Sequence, residues 1–431
     1  MQSGEPITLS SYARLLGSNS NFRHLWYAQI VSEIGDWLYI IAIYSHLLEL
    51  TGGAAKSIGF AFVLQVLPQM LTAPVAGVLN DRLSRRRMMI ATDWMRALII
   101  SLMLFAQSAD MIWFIYLLLF LETVCWGLFE PARNATIPNV TTGQDLFVAN
   151  ALSSTTWSFN FAVGSAIGGF IAAFAGKQAA FVINALSFVA SALLISRTRF
   201  DEPHLKEHPP FQWKQAREWR MVAEGWNYVN RDRKLVVILL AKCGLGFLGA
   251  NWVLLTILGE RKYPVYLWGL DAQSAGMMGM SFLMGARGLG ALVGPLLGSY
   301  FAGSSQERMR RGISLGFALA AFGYILLGLS HHMLAACFSV ILAHAGGSTI
   351  WVFSTNLLQL NTEDRFRGRI FSAEFSFMTL SMSASSSLSG ILIDQGIAPE
   401  AVAVGAGLTM FVPGALWVAA QRLWRIGHQA G

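Results

Sequence analysis

The sequence predicts an all-α integral membrane protein with twelve transmembrane helices in two bundles of six. Of its 431 residues, 54% are hydrophobic and 13% are charged, whereas soluble domains carry about a quarter charged residues. Apolar runs long enough to cross a bilayer recur along nearly the whole chain, separated by short polar segments. Basic residues concentrate in alternate segments between these runs, which is typical of cytoplasmic loops. Little of the chain is left for a soluble domain.

The apolar runs and the residues that interrupt them predict spans at 23–49, 56–79, 88–107, 111–131, 146–174, 177–196, 234–259, 272–302, 307–329, 332–359, 366–393 and 398–424. With a cytoplasmic N-terminus, the outer side holds only Lys56, Lys177, Arg261 and Lys262. This bias predicts a multi-pass protein of the plasma (bacterial inner) membrane with both termini cytoplasmic. It also accounts for the net charge of +7 without a nucleic acid partner. No removable signal peptide is expected.

The longest polar segment, 197–233, contains "WKQAREWRMVAEGWNYV" and predicts an amphipathic helix at the inner membrane surface, with a docking site for a partner as the alternative. It separates an N-terminal bundle, 23–196, from a C-terminal bundle, 234–424, with cytoplasmic segments at 1–22 and 425–431. Pro74 and Gly77 in the second span have the same spacing as Pro295 and Gly298 in the eighth. Parallel six-span repeats of this kind indicate a transporter architecture.

The loop between the second and third spans, within "GVLNDRLSRRRMMI", resembles the signature of the major facilitator superfamily. The matching residues are Gly77, Asp81, Arg82, Arg85 and Arg86, and Ser84 stands where a second glycine is usual. The stretches "SEIGDWL", "EPARNATIPNV", "VGSAIGG", "EGWNYVNRDRKL" and "RFRGRIFS" resemble the drug and siderophore exporter branch, which includes macrolide efflux proteins and the enterobactin exporter. The resemblance extends from Phe22 to Trp424.

The resemblance implies a monomeric, cofactor-free transporter, not an enzyme, that moves a small solute by alternating access. It also implies that the acid of the signature loop helps to latch the two halves on the cytoplasmic side. Here Asp81 would lie near Arg367 and Gly368 at the start of the eleventh helix, where the helix dipole favours a negative charge. Topology alone accounts for Arg87 but leaves Asp81 unexplained.

Glycines at four-residue spacing predict close helix packing. They are Gly164 and Gly168 in the fifth span, and Gly290, Gly294 and Gly298 in the eighth. The fifth-span pattern resembles the antiporter signature of the superfamily, with Ser165 in place of its usual proline. Antiport and plain helix packing both remain open for this motif.

Charges inside the spans predict a proton site. Each costs at least about 2.5–3.5 kcal/mol at a helix centre unless it is paired or hydrated. Glu33 and Asp36 lie on one face of the first helix, and Glu122 of the fourth could share their cavity. Burial and a nearby like charge both favour the neutral form of a carboxyl group, so this pair is a candidate for proton coupling. In the structural alternative, Asp36 fixes the helix and Glu33 pairs with a base such as Arg96 or Arg287. Separately, Asp93 is expected to pair with Arg96 three residues later on its own helix.

Helical phase suggests a set of polar and aromatic residues that line a substrate cavity, although each could equally be a packing residue. They are Gln29, Tyr39, Gln65, Gln69, Trp157, Asn160, Asn251, Arg287, Trp351 and Asn356. A dinucleotide-like pattern, "GLGFLG" at 244–249, lies inside a span without a preceding strand and is rejected. No metal site is expected from the spacing of the three cysteines.

These patterns predict a secondary active exporter of a small amphipathic solute such as a drug, coupled to proton antiport and embedded in the bilayer. The alternatives are an exporter of siderophores or metabolites, an importer of the same fold, and a receptor or scaffold that transports nothing. The intramembrane charges argue against a scaffold, which has little reason to retain them. A membrane enzyme is disfavoured because no nucleophile or metal motif occurs in a suitable context.

Overall fold

The computed structural model describes residues 9–202, 205, 232–303 and 305–421, with side chains for all of these except 9, 73, 74, 78, 81, 364–369 and 372. The chain forms the α-helices α1 Leu9–Ser18, α2 Ser20–Leu50, α3 Ala55–Arg82, α4 Arg85–Met103, α5 Ile112–Val140, α6 Gln144–Phe174, α7 Lys177–Ser196, α8 Arg233–Leu245, α9 Asn251–Arg261, α10 Ala272–Ala302, α11 Gln306–Leu329, α12 Met333–Asn361, α13 Asp364–Asp394 and α14 Pro399–Ala420. Short 3-10 segments occupy Ala109–Met111 and Gly246–Ala250. The predicted all-α membrane fold is confirmed.

Eleven of the predicted spans each overlap one α-helix, and the span 234–259 covers α8, a 3-10 segment and α9. Within the described residues, nine helical segments are long and apolar enough to cross a membrane. Helices α2, α3 and α4 are not among the nine, and α2 and α4 carry the buried charges of the site described below. Helix α5 runs nine residues beyond the predicted end at residue 131, to Val140, with Pro131 and Pro138 inside it. Each proline removes one backbone hydrogen bond of the helix. Such prolines occur inside membrane helices because neighbouring helices and side chains can satisfy the backbone group that is left without a partner.

The turn into α4 explains the serine of the signature loop. Ser84 is the N-cap of α4 with extended backbone (φ −61°, ψ 113°), and its hydroxyl accepts a hydrogen bond from the Arg87 N–H at 3.2 Å. A negative φ does not require glycine, and a serine side chain satisfies one of the N–H groups that a helix start leaves without a partner. Asp271 caps α10 in the same way, and the N–H of Ser274 at 2.7 Å lowers the pKa of Asp271.

The predicted span 234–259 is not one continuous helix, because Gly246–Ala250 forms a 3-10 segment between α8 and α9. The Ser385 hydroxyl, on α13, donates to the Phe247 carbonyl at 2.6 Å and accepts from the Ala250 N–H at 3.1 Å. A side chain therefore satisfies backbone groups that the broken helix leaves without partners. The rejected "GLGFLG" pattern lies here, and a Cβ at Gly249 would lie 2.6 Å from Met382 Cα.

The chain forms two compact units. One comprises Met1–His46 and Leu64–Ala216, and the other comprises Leu47–Val63 and Arg217–Gly431. Residues 47–63 therefore belong to the second unit, although the sequence places them in the N-terminal bundle. There, the Asp394 carboxylate accepts hydrogen bonds from the N–H groups of Ala55 (2.7 Å) and Lys56 (3.1 Å) at the start of α3. The predicted amphipathic helix of the linker and the C-terminal tail lie outside the described residues.

Candidate functional site

A buried charge cluster lies in the first unit, where α2, α4 and α5 each contribute acids around one arginine. The Arg96 guanidinium contacts Asp36 Oδ2 at 2.8 Å through Nη2 and donates to Glu122 Oε1 at 2.9 Å through Nε. Asp93, one turn earlier on the same helix, lies 3.9 Å from Nη1. Arg96 is 2% exposed and Asp93 is 0% exposed. Three carboxyl groups thus surround one buried guanidinium, and the side chains of Asp36 and Glu122 are 28% and 13% exposed.

The Arg96 guanidinium also lies over the Phe188 ring of α7, 3.9 Å from its centroid. The Phe188 ring and the carboxylates of Asp36 and Glu122 together fix the orientation of the guanidinium. This planar group binds carboxylates through its N–H groups and stacks on aromatic rings with its face. The predicted local pair of Asp93 with Arg96 is present as an ion pair at 3.9 Å, and the hydrogen bonds of Arg96 go to acids on α2 and α5. These contacts bring together two of the predicted proton-coupling residues, Asp36 and Glu122.

Glu33, the third predicted proton-coupling residue, has different partners. Gln29 Nε2 donates to Glu33 Oε1 at 2.9 Å, and Asn160 Nδ2 donates to Glu33 Oε2 at 2.9 Å. The same Gln29 amide also donates to the Ser153 carbonyl at 3.0 Å. Glu33 thus joins two predicted cavity residues on α2 and α6, and the hydrogen bonds that its carboxylate accepts within the described residues come from amide groups.

The other predicted cavity residues of the first unit have different partners in the described part of the chain. The Tyr39 hydroxyl is buried against the Met103 sulfur at 3.4 Å, and Gln65 accepts from Tyr44 OH at 2.7 Å. Gln69 donates to the Gln65 carbonyl of its own helix at 2.8 Å. Trp157 is 44% exposed and stands edge-on to another tryptophan, Trp37, 5.7 Å between centroids.

In the second unit, Asn251 is buried and donates to the Leu248 carbonyl at the edge of the 3-10 segment. The Arg287 guanidinium lies over the Trp252 ring, 4.0 Å from its centroid. Trp351 and Asn356 both lie on α12, and Trp351 is 41% exposed. Of these predicted residues, Trp351 lines a cavity of about 340 Å³.

The sequence predicts that cavity only in part: Trp351 is a predicted cavity residue, but its grouping with Lys242 and Glu374 was not predicted. Its walls are formed by α8, α12 and α13, through Lys242, Trp351, Thr355, Phe371, Glu374, Phe375 and Met378. Lys242 Nζ lies 3.0 Å from Glu374 Oε2, donates to Thr355 Oγ1 at 2.7 Å and sits 4.5 Å from the Trp351 ring centroid. The sequence features that could have predicted this site are the base Lys242 in the seventh span, the acid Glu374 in the eleventh, and the aromatic residues on either side of that acid.

Two arginines of the signature loop donate hydrogen bonds to backbone carbonyls of the first unit. Arg85 donates to the carbonyls of Asn80 (3.1 Å) and Ala135 (2.9 Å), and Arg86 donates to the Ser196 carbonyl. The Glu202 carboxylate accepts from the Arg85 N–H at 2.6 Å, where an acid is favoured by the start of α4. Arg82 is half-buried and Gly77 is exposed. The side chains of Asp81 and Arg367 and the surroundings of Gly368 lie outside what the structure describes, so the latch stays a prediction.

The glycines at four-residue spacing lie against the backbones of neighbouring helices. A Cβ at Gly168 would lie 2.6 Å from the Leu38 carbonyl oxygen, and one at Gly164 would lie 2.7 Å from Trp37 Cβ. A Cβ at Gly290 or Gly294 would overlap the carbonyl oxygens of Ile341 and Ala345 respectively. Gly298 faces the Phe353 ring, at 3.1 Å. These contacts bring α6 against α2 and α10 against α12.

The fold and these two interior sites define a multi-pass membrane transporter. The chain belongs to the transmembrane secretion effector family of the major facilitator superfamily, whose family model matches residues 9–426. Macrolide efflux protein A of Streptococcus pyogenes is 24% identical over 379 residues, covering 87% of this chain and 89% of that protein. BacE of Bacillus subtilis (strain 168), named as a candidate bacilysin exporter, is 24% identical over 394 residues, covering 90% and 92%. The predicted family is confirmed, and the chain is a transporter, not an enzyme.

The solved structure of the nucleoside transporter NupG has the same fold. It aligns with a TM-score of 0.73 and covers 92% of this chain and 98% of that chain. The sequence identity is 11%, so the likeness concerns the fold alone.

Proposed function

We propose that this protein exports a small amphipathic solute by alternating access, and that proton entry drives the export. Two relatives across most of the chain are named for efflux or export, which supports the outward direction. We place the protein in the bacterial inner membrane with both termini cytoplasmic, because the positive-inside bias of the loops favours that orientation. We further propose that it works as a monomer, since each interior site is complete within one unit of one chain.

The observation that carries the coupling proposal is the three-to-one ratio of acids to arginine around Arg96. If Asp36, Asp93 and Glu122 were all ionised, the cluster would hold two uncompensated negative charges in the interior. Burial of uncompensated charge is costly, and a proton on one acid reduces that cost. Proton binding to Asp36 would leave Glu122 as the hydrogen-bonded partner of Arg96 on a neighbouring helix. The cluster can therefore exchange a proton while Arg96 keeps an acidic partner.

Substitution of the α2 acids tests this coupling. We expect Asp36→Asn and Glu33→Gln to insert normally and to lose accumulation driven by a pH gradient by about tenfold or more, because neither new side chain binds a proton in this range. Downhill exchange of solute should stay within about twofold of the unmodified protein. The measurement is flux into proteoliposomes with and without an imposed gradient, screened over hydrophobic drugs and siderophores.

Glu307→Gln is the matched control, since Glu307 is an exposed acid that pairs with Arg311 on the same helix. It should leave both gradient-driven and downhill flux unchanged. If Asp36→Asn and Glu33→Gln both still concentrate solute from a proton gradient alone, these carboxyl groups do not couple transport to protons.

A further inference from the structure

The 340 Å³ cavity of the second unit combines an apolar aromatic wall with a charged end. Phe371 and Phe375 lie one turn apart on α13, on either side of Glu374 in sequence, and Trp351 of α12 contributes a third ring. Volumes of about 300–1,000 Å³ with largely apolar walls and a few polar groups are characteristic of small-molecule sites. The cavity therefore has the size and the lining to hold the aromatic part of a solute.

The two charged groups at its polar end are not equally satisfied. Lys242 donates to Thr355 Oγ1 at 2.7 Å, lies 3.0 Å from Glu374 Oε2, and has the Trp351 ring 4.5 Å from its ammonium. Glu374 is 1% exposed, and its second oxygen, Oε1, has no hydrogen-bond partner among the described residues. A buried carboxylate oxygen without a donor costs free energy, which a ligand can recover by donating to it.

We propose that this cavity binds amphipathic amines in their protonated form, with the ammonium donating to Glu374 Oε1 and the apolar body against Phe371, Phe375 and Trp351. This inference deepens the proposed export function and rests on it for the direction of transport. Glu374 is then the residue that selects the charge of the solute. The orphaned acceptor selects a donor, whereas an anion would have to compete with Thr355 and Glu374 for Lys242.

Lys242 opposes the same ligand. Its ammonium already neutralises Glu374 through Oε2, so a second cation at Oε1 meets a like charge within a few ångströms. Binding therefore weakens the pair of Lys242 with Glu374, which keeps the affinity of the site moderate. Glu374 therefore strengthens the binding of a cationic ligand and Lys242 weakens it. For an anionic ligand the two effects are reversed.

The test uses two probes with one fluorophore and opposite charges: dansylcadaverine, which ends in an ammonium, and dansyl-6-aminohexanoate, which ends in a carboxylate. Binding to the purified full chain is measured by equilibrium dialysis in detergent, without any gradient. The unmodified protein should prefer the amine. Glu374→Gln should weaken amine binding about tenfold or more, because a charge-assisted hydrogen bond is lost. Lys242→Met should tighten amine binding about threefold or more.

A double variant guards against misfolding, because each single variant leaves one buried charge without its partner. Lys242→Gln with Glu374→Gln removes both charges and should bind the two probes with similar affinities. The proposal is overturned if Glu374→Gln binds the amine as tightly as the unmodified protein, if Lys242→Met weakens amine binding, or if the double variant keeps the preference for the amine. If the unmodified protein binds the carboxylate probe more tightly than the amine probe, the cavity is instead a site for anions.

Failure of this inference and failure of the proposed function give different results. Charge selection in dialysis without any solute flux in proteoliposomes would contradict export and leave the amine site intact. Gradient-driven export of dansylcadaverine that Glu374→Gln does not alter would contradict the amine site and leave export intact.

Discussion

Replacement of Arg96 by glutamine should destabilise the protein by about 3–5 kcal/mol, the range expected when one partner of a buried ion pair is removed. Asp36 and Glu122 would lose their only guanidinium contact within the described residues, and Asp93 would lose its nearest cation. Glutamine can donate one hydrogen bond but carries no charge, so the acids remain uncompensated. The measurement is unfolding in mixed detergent micelles, followed by tryptophan fluorescence.

Arg14→Gln is the control, since Arg14 pairs with Asp145 at 3.3 Å but both side chains are exposed, 57% and 40%. Exposed pairs contribute about 0–1 kcal/mol, so this variant should unfold almost like the unmodified protein. Adding Asp36→Asn and Glu122→Gln to Arg96→Gln should recover more than half of the loss. Equal stability of Arg96→Gln and Arg14→Gln would show that the acids do not depend on Arg96.

Replacement of Gly294 by alanine should cost about 1–3 kcal/mol and reduce the yield of folded protein, because one methyl group must force two backbones apart. A Cβ at Gly294 would overlap the Ala345 carbonyl oxygen of α12 and lie 2.6 Å from the Ser348 hydroxyl. Neither helix can shift locally, since Gly290 lies against the same helix one turn earlier. Thermal unfolding and size-exclusion profiles in detergent measure the effect.

Gly405→Ala is the matched control. Gly405 also lies within a helix, α14, but a Cβ there would meet nothing within 4 Å. Alanine has the higher helix propensity, so this variant should be as stable as the unmodified protein or slightly more stable. If both alanine variants unfold alike, close approach of α10 and α12 at Gly294 does not limit stability.

The sequence predicts the helices well because a membrane span must satisfy its own backbone, and an apolar run of sufficient length leaves few alternatives. It does less well where a residue distant in the chain decides the structure. The 3-10 segment after Leu245 depends on Ser385, 138 residues from the carbonyl that it binds. No local pattern in "GLGFLG" specifies that contact.

Partner choice among buried charges has the same limit. Asp93 lies three residues from Arg96 and is the obvious local partner, yet the contacts at 2.8 Å go to Asp36 and Glu122, 60 and 26 residues away. The pair of Lys242 with Glu374 joins residues 132 apart. Their opposite charges in two spans made a pair conceivable, but the packing of α8 against α13 decides it. The role of Asp81 stays a prediction.

The cap on α3 has a consequence for biosynthesis. The Asp394 carboxylate that binds the N–H groups of Ala55 and Lys56 is translated 339 residues after Ala55. Because the ribosome makes the chain from its N-terminus, the N–H groups of Ala55 and Lys56 cannot bind Asp394 until nearly all of the protein has been inserted. A nascent chain that stops before Asp394 leaves the start of α3 without this cap, so a truncated product differs from the finished protein at the N-terminus of this helix.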